Sequence, residues 1–172
     1  MGNLSYIIPT ENQEEFNREK ITEILENQFP DLIIHSDDEW DQIVVSVKPN
    51  KRFKDELVVQ MYFNADCYLL KGENFENSIS ELRDKTETWP GGEKLAEQLS
   101  ELKELNPDLN KSISMTHCPY YDLREVKRQV EIYLHSYFKS FIFDEGIHPE
   151  FIPPDYVWRP VRKQKRFLGF KI

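Results

Sequence analysis

The chain has 172 residues, with 31 acidic and 22 basic side chains and a formal net charge of −9. This length suits one domain with its own core, and the negative charge disfavours general binding to nucleic-acid phosphates. No run approaches the roughly 20 apolar residues of a membrane span, and the first residues lack the regions of a signal peptide. Two cysteines, Cys67 and Cys118, are too few for a disulfide framework, so we expect a cytoplasmic protein.

The first half of the chain predicts one helix followed by several strands. Apolar residues at helical spacing predict a helix over 12–28, and an apolar run predicts a strand over 31–35. Alternation of apolar and polar residues predicts strands over 42–48 and 56–63, with a short strand over 67–71 after a tight turn. Consecutive strands with short links indicate an antiparallel meander.

The second half predicts mainly helices. Helices are expected over 75–85 and 93–105, a brief strand over 111–117, and the longest helix over 122–141, where Asp122 has the spacing of an N-cap. The apolar residues that repeat along this last helix are Leu123, Val126, Val130, Tyr133, Leu134, Tyr137 and Phe141. His135 is expected at the boundary of that apolar face, and Cys67 as a small core residue.

Prolines interrupt the sequence after Gly146 and predict an extended arm. The predicted architecture is α+β: an antiparallel sheet of four or five strands with helices packed on one face. The domain is expected to cover residues 1–146 and the arm residues 147–172. Because disordered segments are poor in aromatic residues, we expect the arm to dock on its own domain. The anchoring residues would be Phe151, Ile152, Tyr156 and Trp158.

Acidic and basic residues are strongly segregated along the chain. Acids dominate residues 11–41, whereas the last fourteen residues hold six cations and no acid. Four glutamates share one face of the predicted first helix, where like charges four residues apart are slightly destabilising. They are Glu15, Glu19, Glu23 and Glu26. Three explanations for this acidic face stay open: it increases solubility, it contacts the chain's own basic tail, or it binds a basic partner.

The turn over residues 35–41 is the densest cluster of potential metal ligands or acid–base groups. It fails as a calcium loop, because Gln42 and Lys48 stand where a glycine and a glutamate are required. The four histidines lack zinc spacing. His117 and Cys118 are neighbours on a predicted strand, so they point to opposite faces. The sequence therefore predicts no catalytic residue, no metal and no cofactor.

These patterns favour a non-enzymatic module that binds or inhibits a basic protein, in the manner of a bacterial immunity protein that neutralises a cationic nuclease toxin. The predicted partner-binding residues are Glu15, Glu19, Glu23, Glu26, Asp37, Asp38, Trp40 and Asp41. One alternative is a small hydrolase or transferase that uses the 35–41 turn with a histidine. Another is a regulatory subunit whose arm binds a partner, a second copy of the chain or nucleic acid. The arm residues concerned are Trp158, Arg162, Lys163, Lys165 and Arg166.

Overall fold

The computed structural model describes residues 4–47, 57–63, 67–70, 74–117, 121–144 and 150–158, with the backbone alone at positions 57, 68, 117, 121 and 122. The strands β1 to β7 are Ser5–Ile8, Ile33–Asp37, Gln42–Val47, Leu57–Phe63, Ile113–His117, Phe141–Asp144 and Glu150–Ile152. The helices α1 to α4 are Arg18–Gln28, Asn74–Asp84, Gly92–Leu105 and Tyr121–Phe138. Within these ranges, no helix is long and apolar enough to cross a membrane.

The strands form one antiparallel sheet in the order β2-β3-β4-β5-β1-β6-β7. Strands β2, β3 and β4 pair in the predicted meander, and β5, which follows α3, pairs with β4. Strand β1 lies between β5 and β6, with Ser5 opposite both Met115 and Asp144. The α+β class is confirmed, but the described sheet has seven strands rather than four or five. The strand expected over 67–71 is instead a turn of 3-10 helix over Tyr68–Leu70.

Both sides of β1 are apolar, and this divides the core into two layers. Ile7 joins a first cluster with residues of α1 and α4, including Ile21, Leu25, Val130 and Leu134. Its neighbours Tyr6 and Ile8 join a second cluster with residues of α2 and α3, including Ile79, Leu82, Leu95 and Leu99. Adjacent strand residues point to opposite faces. The prediction of helices on one face is therefore wrong, because a strand that is apolar on both sides needs cover on both.

The predicted face of α4 is confirmed over most of its length. Leu123, Val126, Val130 and Leu134 are buried in the first cluster, against which Tyr133 and Tyr137 pack. The helix ends at Phe138 rather than at 141, because Lys139 adopts a left-handed φ of 46°. The N–H of Ser140 then donates to the carbonyl of His135 at 3.2 Å, which is the bond of a Schellman cap. Phe141 instead belongs to β6 and to the second cluster.

The start of the arm is part of the sheet. Residues Glu150–Ile152 pair with β6, Ile152 is buried in the first cluster, and Trp158 packs against that cluster. The basic residues Arg162, Lys163, Lys165 and Arg166 lie outside the described residues. The domain boundary at residue 146 stays a prediction.

The α2–α3 junction depends on a glycine. Gly92 begins α3, and a Cβ atom there would overlap the backbone carbonyl oxygen of Leu82 on α2. At Gly91, a Cβ would meet only the Cβ of Phe151 at 3.1 Å and other side-chain atoms. Close approach of the two helices therefore requires glycine at position 92.

Candidate protein-interaction surface

Hydrogen bonds to the backbone hold the tip of the β2–β3 hairpin. The Asp37 carboxylate accepts from the backbone N–H of Glu39 at 2.9 Å and from that of Trp40 at 3.3 Å. Asp41 adopts a φ of 46°, a conformation that aspartate tolerates better than most residues. Its carbonyl accepts from the N–H of Phe63 at 3.0 Å. The tip is therefore a defined turn that is tied to the neighbouring strand.

Trp40 projects from this tip with 65% of its surface exposed. Exposure of a large ring to water contributes nothing to the stability of the fold. Tryptophan is, however, among the residues most enriched at the energetic centres of protein interfaces. Because its backbone is already held in a defined turn, binding through this ring would cost little additional backbone conformational entropy.

Arg18 joins the hairpin tip to the start of α1. Its Nη1 donates to the backbone carbonyl of Asp37 at 2.8 Å. Its Nη2 lies 2.6 Å from the Asp38 carboxylate and 3.1 Å from that of Glu19. The hydrogen bond to Glu19, with the nearby carboxylates, raises the pKa of Arg18 further above its already high range, so this side chain keeps its charge. Two acidic segments that are separate in sequence therefore form one surface.

The first helix is shorter than the sequence predicts, and this removes one glutamate from its acidic face. Asn17 caps α1 by accepting from the N–H of Lys20 at 2.9 Å, so the helix begins at Arg18. Glu15 lies before this cap in a separate 3-10 turn and accepts from the Tyr137 hydroxyl at 3.0 Å. That hydrogen bond raises the pKa of Tyr137. Glu15 thus serves a contact with α4 and lies outside the helical row.

We call the remaining surface the acidic corner. It consists of Glu19, Glu23 and Glu26 on α1 with Asp38, Glu39, Trp40 and Asp41 at the hairpin tip, all of them exposed. Lys20 lies 3.0 Å from Glu23 and offsets part of its charge. Among the described residues, no cation lies within ion-pair distance of Glu26, Glu39 or Asp41. Within the part of the chain that the structure describes, Arg18 and Lys20 therefore offset only part of the negative charge of the corner.

The histidine and carboxylates expected for the alternative enzymatic site do not form a cleft at this hairpin. His35 is exposed on the edge strand β2, and Asp38 and Asp41 are exposed at the turn. The side chain of His117 lies outside the description. In the part of the chain that the structure describes, no group of three His, Cys, Asp or Glu side chains could hold a metal ion.

Sequence reasoning missed a buried polar cluster beside β1. The Nζ of Lys127 lies 3.2 Å from Glu131, which also accepts from the Ser5 hydroxyl at 2.5 Å. Arg128 lies 3.4 Å from the same carboxylate. The spacing of Lys127 and Glu131, four residues apart on a helix, was the one signal available in the sequence. Their burial depends on packing against β1, which local patterns do not reveal.

Sequence reasoning also placed His135 wrongly. The residue was expected at the boundary of the α4 face, but only 2% of it is exposed. Its covering residues, Pro153 and Trp158, come from the arm. No sequence pattern within α4 could predict that these arm residues bury His135.

The acidic corner combines two properties that suit a cationic binding partner. Exposed carboxylates attract and orient a basic surface from a distance. An exposed tryptophan on a constrained turn supplies apolar area that contact would bury. No protein-family model matches the chain, and comparisons with curated proteins and with solved structures found no match.

Proposed function

We propose that the protein is a non-enzymatic interaction module that binds a basic partner protein through the acidic corner. The single observation that carries this proposal is Trp40, which is 65% exposed on a hairpin tip that Arg18 ties to the acidic face of α1. Solubility alone would account for the carboxylates. It does not account for a large apolar ring held among them.

The ring and the carboxylates have different parts in the proposed complex. Burial of Trp40 supplies most of the affinity, because an interface tryptophan commonly contributes about 2 kcal/mol or more when truncated. Exposed ion pairs contribute only about 0–1 kcal/mol each. The carboxylates act mainly on the association rate, which electrostatic steering raises and salt reduces.

The chemical class of partner that fits is a protein whose basic surface binds phosphates. Carboxylates of the acidic corner would compete with nucleic-acid phosphates for the same lysine and arginine side chains. Binding of this kind would inhibit a cationic nuclease without any catalytic residue in the inhibitor.

The proposal is tested by capture of partners from an extract of the native organism, followed by affinity measurement with the purified partner. Trp40→Ala is compared with Leu105→Ala, a matched control because Leu105 is 86% exposed at the end of α3. We expect the wild-type chain and the Leu105 variant to retain one basic protein. Trp40→Ala should weaken its affinity about 30-fold, the equivalent of about 2 kcal/mol.

Charge reversal separates the role of the carboxylates from that of the ring. Glu39→Lys should lower the association rate and its salt dependence, whereas Glu104→Lys on exposed α3 surface should change both less. A chain that ends at Trp158 should bind as the full chain does, which tests the alternative that the basic arm holds the partner. Equal affinity of the Trp40 and Leu105 variants for every retained protein would refute the proposal.

A further inference from the structure

His135 fastens the segment 153–158 to α4. The ring Nε2 lies 2.8 Å from the carbonyl oxygen of Pro153, and Nδ1 lies 3.1 Å from the indole Nε1 of Trp158. The two rings meet edge-on, with centroids 5.5 Å apart and planes at 89°. Both polar atoms of the imidazole are therefore committed to the same segment, at a site that is closed to solvent.

These two partners permit one protonation state of the ring. A carbonyl oxygen only accepts hydrogen bonds, so Nε2 must carry the hydrogen that is donated to Pro153. An indole N–H only donates, so Nδ1 must be unprotonated to accept from Trp158. The neutral Nε2–H tautomer of His135 satisfies both contacts. In the imidazolium form Nδ1 also carries a hydrogen, so it would face the indole N–H of Trp158 with no acceptor between the two donors.

The surroundings of His135 also oppose a positive charge on the ring. Burial is the largest cause that lowers its pKa, and Lys139, just after α4, and Arg128 on α4 lower it further. The hydrogen bond to Pro153 and the carboxylate of Asp155 act in the opposite direction.

Arg128 makes a second contact that keeps the segment 153–158 on α4. Its guanidinium carbon lies 4.6 Å from the centre of the Trp158 ring. The guanidinium also lies 3.4 Å from Glu131 on α4 and 3.5 Å from Glu150 on β7. These carboxylates keep Arg128 in place. A charged His135 would be a second cation near the guanidinium of Arg128, and the two positive charges would repel each other.

We propose that His135 is a proton-operated latch that holds the segment 153–158 on α4 when neutral and releases it when protonated. Ile152 remains buried in the sheet, so the segment would pivot after β7. The released segment carries Tyr156 and Val157, which are already exposed, and leads into the basic end of the sequence. This latch is independent of the acidic corner and of the partner proposed for it.

The direction and size of the response follow from proton linkage. An exposed histidine has a pKa of about 6.5. The pKa of His135 rises towards this value when the segment is released, whereas the docked ring stays neutral because burial lowers its pKa. Above that pH both states are neutral, and docking does not depend on pH. Below it, protons bind only to the released state. The ratio of released to docked chains should therefore rise about tenfold for each pH unit, until the docked ring is itself protonated.

The test uses the full chain labelled with ¹⁵N. Imidazole ¹⁵N shifts at neutral pH report the tautomer of His135, and we expect a protonated Nε2 with a bare Nδ1. Native-state hydrogen exchange is then measured from about pH 5 to pH 8 and corrected for the intrinsic pH dependence of exchange. Relative to α4, protection of the Tyr156 amide, which donates to the carbonyl of Pro153, and of the Trp158 indole N–H should fall about tenfold per pH unit below about 6.5.

Two matched variants assign the response to one ring. His135→Gln replaces the imidazole with an uncharged donor and acceptor, and its docking should not depend on pH. His35→Gln removes an exposed histidine of β2 and should keep the wild-type response. A hydrogen on Nδ1 in the docked wild-type chain would overturn the proposal. So would an unchanged pH response in His135→Gln, or an equal loss of protection in α4, which indicates global unfolding.

Discussion

Val130 offers a direct test of how α4 packs on the sheet. The residue lies in the middle of the helix, with none of its surface exposed, in the first cluster. Val130→Ala removes two methyl groups from that cluster. The lost transfer free energy is about 0.8 kcal/mol for each, or about 1.6 kcal/mol in all. A cavity of about 50 Å³ that does not collapse adds about 1.2 kcal/mol, so we expect a loss between about 1.6 and 2.8 kcal/mol.

The free energy of unfolding is measured from urea titrations followed by far-ultraviolet circular dichroism. Val157→Ala is the matched control, because Val157 is 84% exposed and should change stability by less than about 0.5 kcal/mol. The slope of the titration should be the same in both variants if unfolding remains two-state. Equal stability of the two variants would show that this face of α4 does not lie on the sheet.

Two further predictions concern the close contacts between elements. Gly92→Ala should destabilise the protein by about 1–3 kcal/mol in thermal melts, because its methyl group overlaps backbone of α2 that cannot rotate away. Gly91→Ala meets side-chain atoms that can shift and should cost less, so the reverse order would contradict the described helix crossing. Glu131→Gln weakens the buried contact with Lys127 and should cost about 1–3 kcal/mol in urea titrations. Glu104→Gln, on exposed surface, is its control, and an equal effect of the two changes would show that the Glu131 contact is not buried.

The end of α4 shows where local patterns stop being informative. Apolar spacing continued to Phe141, so the sequence predicted a helix through that residue. The usual signal for a helix end is a glycine in the left-handed conformation. Here Lys139 adopts that conformation with a φ of 46°. Lysine is not a residue type that predicts a left-handed conformation, so the sequence did not indicate the helix end. The strand β6 was missed for the same reason, because its first residue, Phe141, was assigned to the helix.

Long-range contacts explain the other differences. The sequence SYII at β1 is short and was not assigned to the sheet, although it pairs with two strands from the second half of the chain. The burial of His135 likewise depends on Pro153 and Trp158. Periodicity describes which face of an element is apolar. It does not reveal which distant segment covers that face.

The acidic corner was predictable in composition but not in geometry. The carboxylates of α1 and of the β2–β3 turn were recognised from sequence as two clusters. Their union depends on Arg18, whose guanidinium lies against Glu19, Asp38 and the backbone of Asp37. A single arginine within an acidic run does not predict that α1 and the hairpin turn are in contact, although Arg18 is the residue that joins them.

The central place of β1 also has a consequence for the order in which the chain folds. This strand is synthesised before the other described strands, yet its partners β5 and β6 leave the ribosome only after β2, β3 and β4. The hairpins of β2, β3 and β4 can form meanwhile from local pairing, whereas Ile7 and Ile8 must wait with their apolar surface uncovered. Non-local pairing of this kind slows folding. A chaperone or ligand that captured Ser5–Ile8 during synthesis would keep the two parts of the sheet from joining.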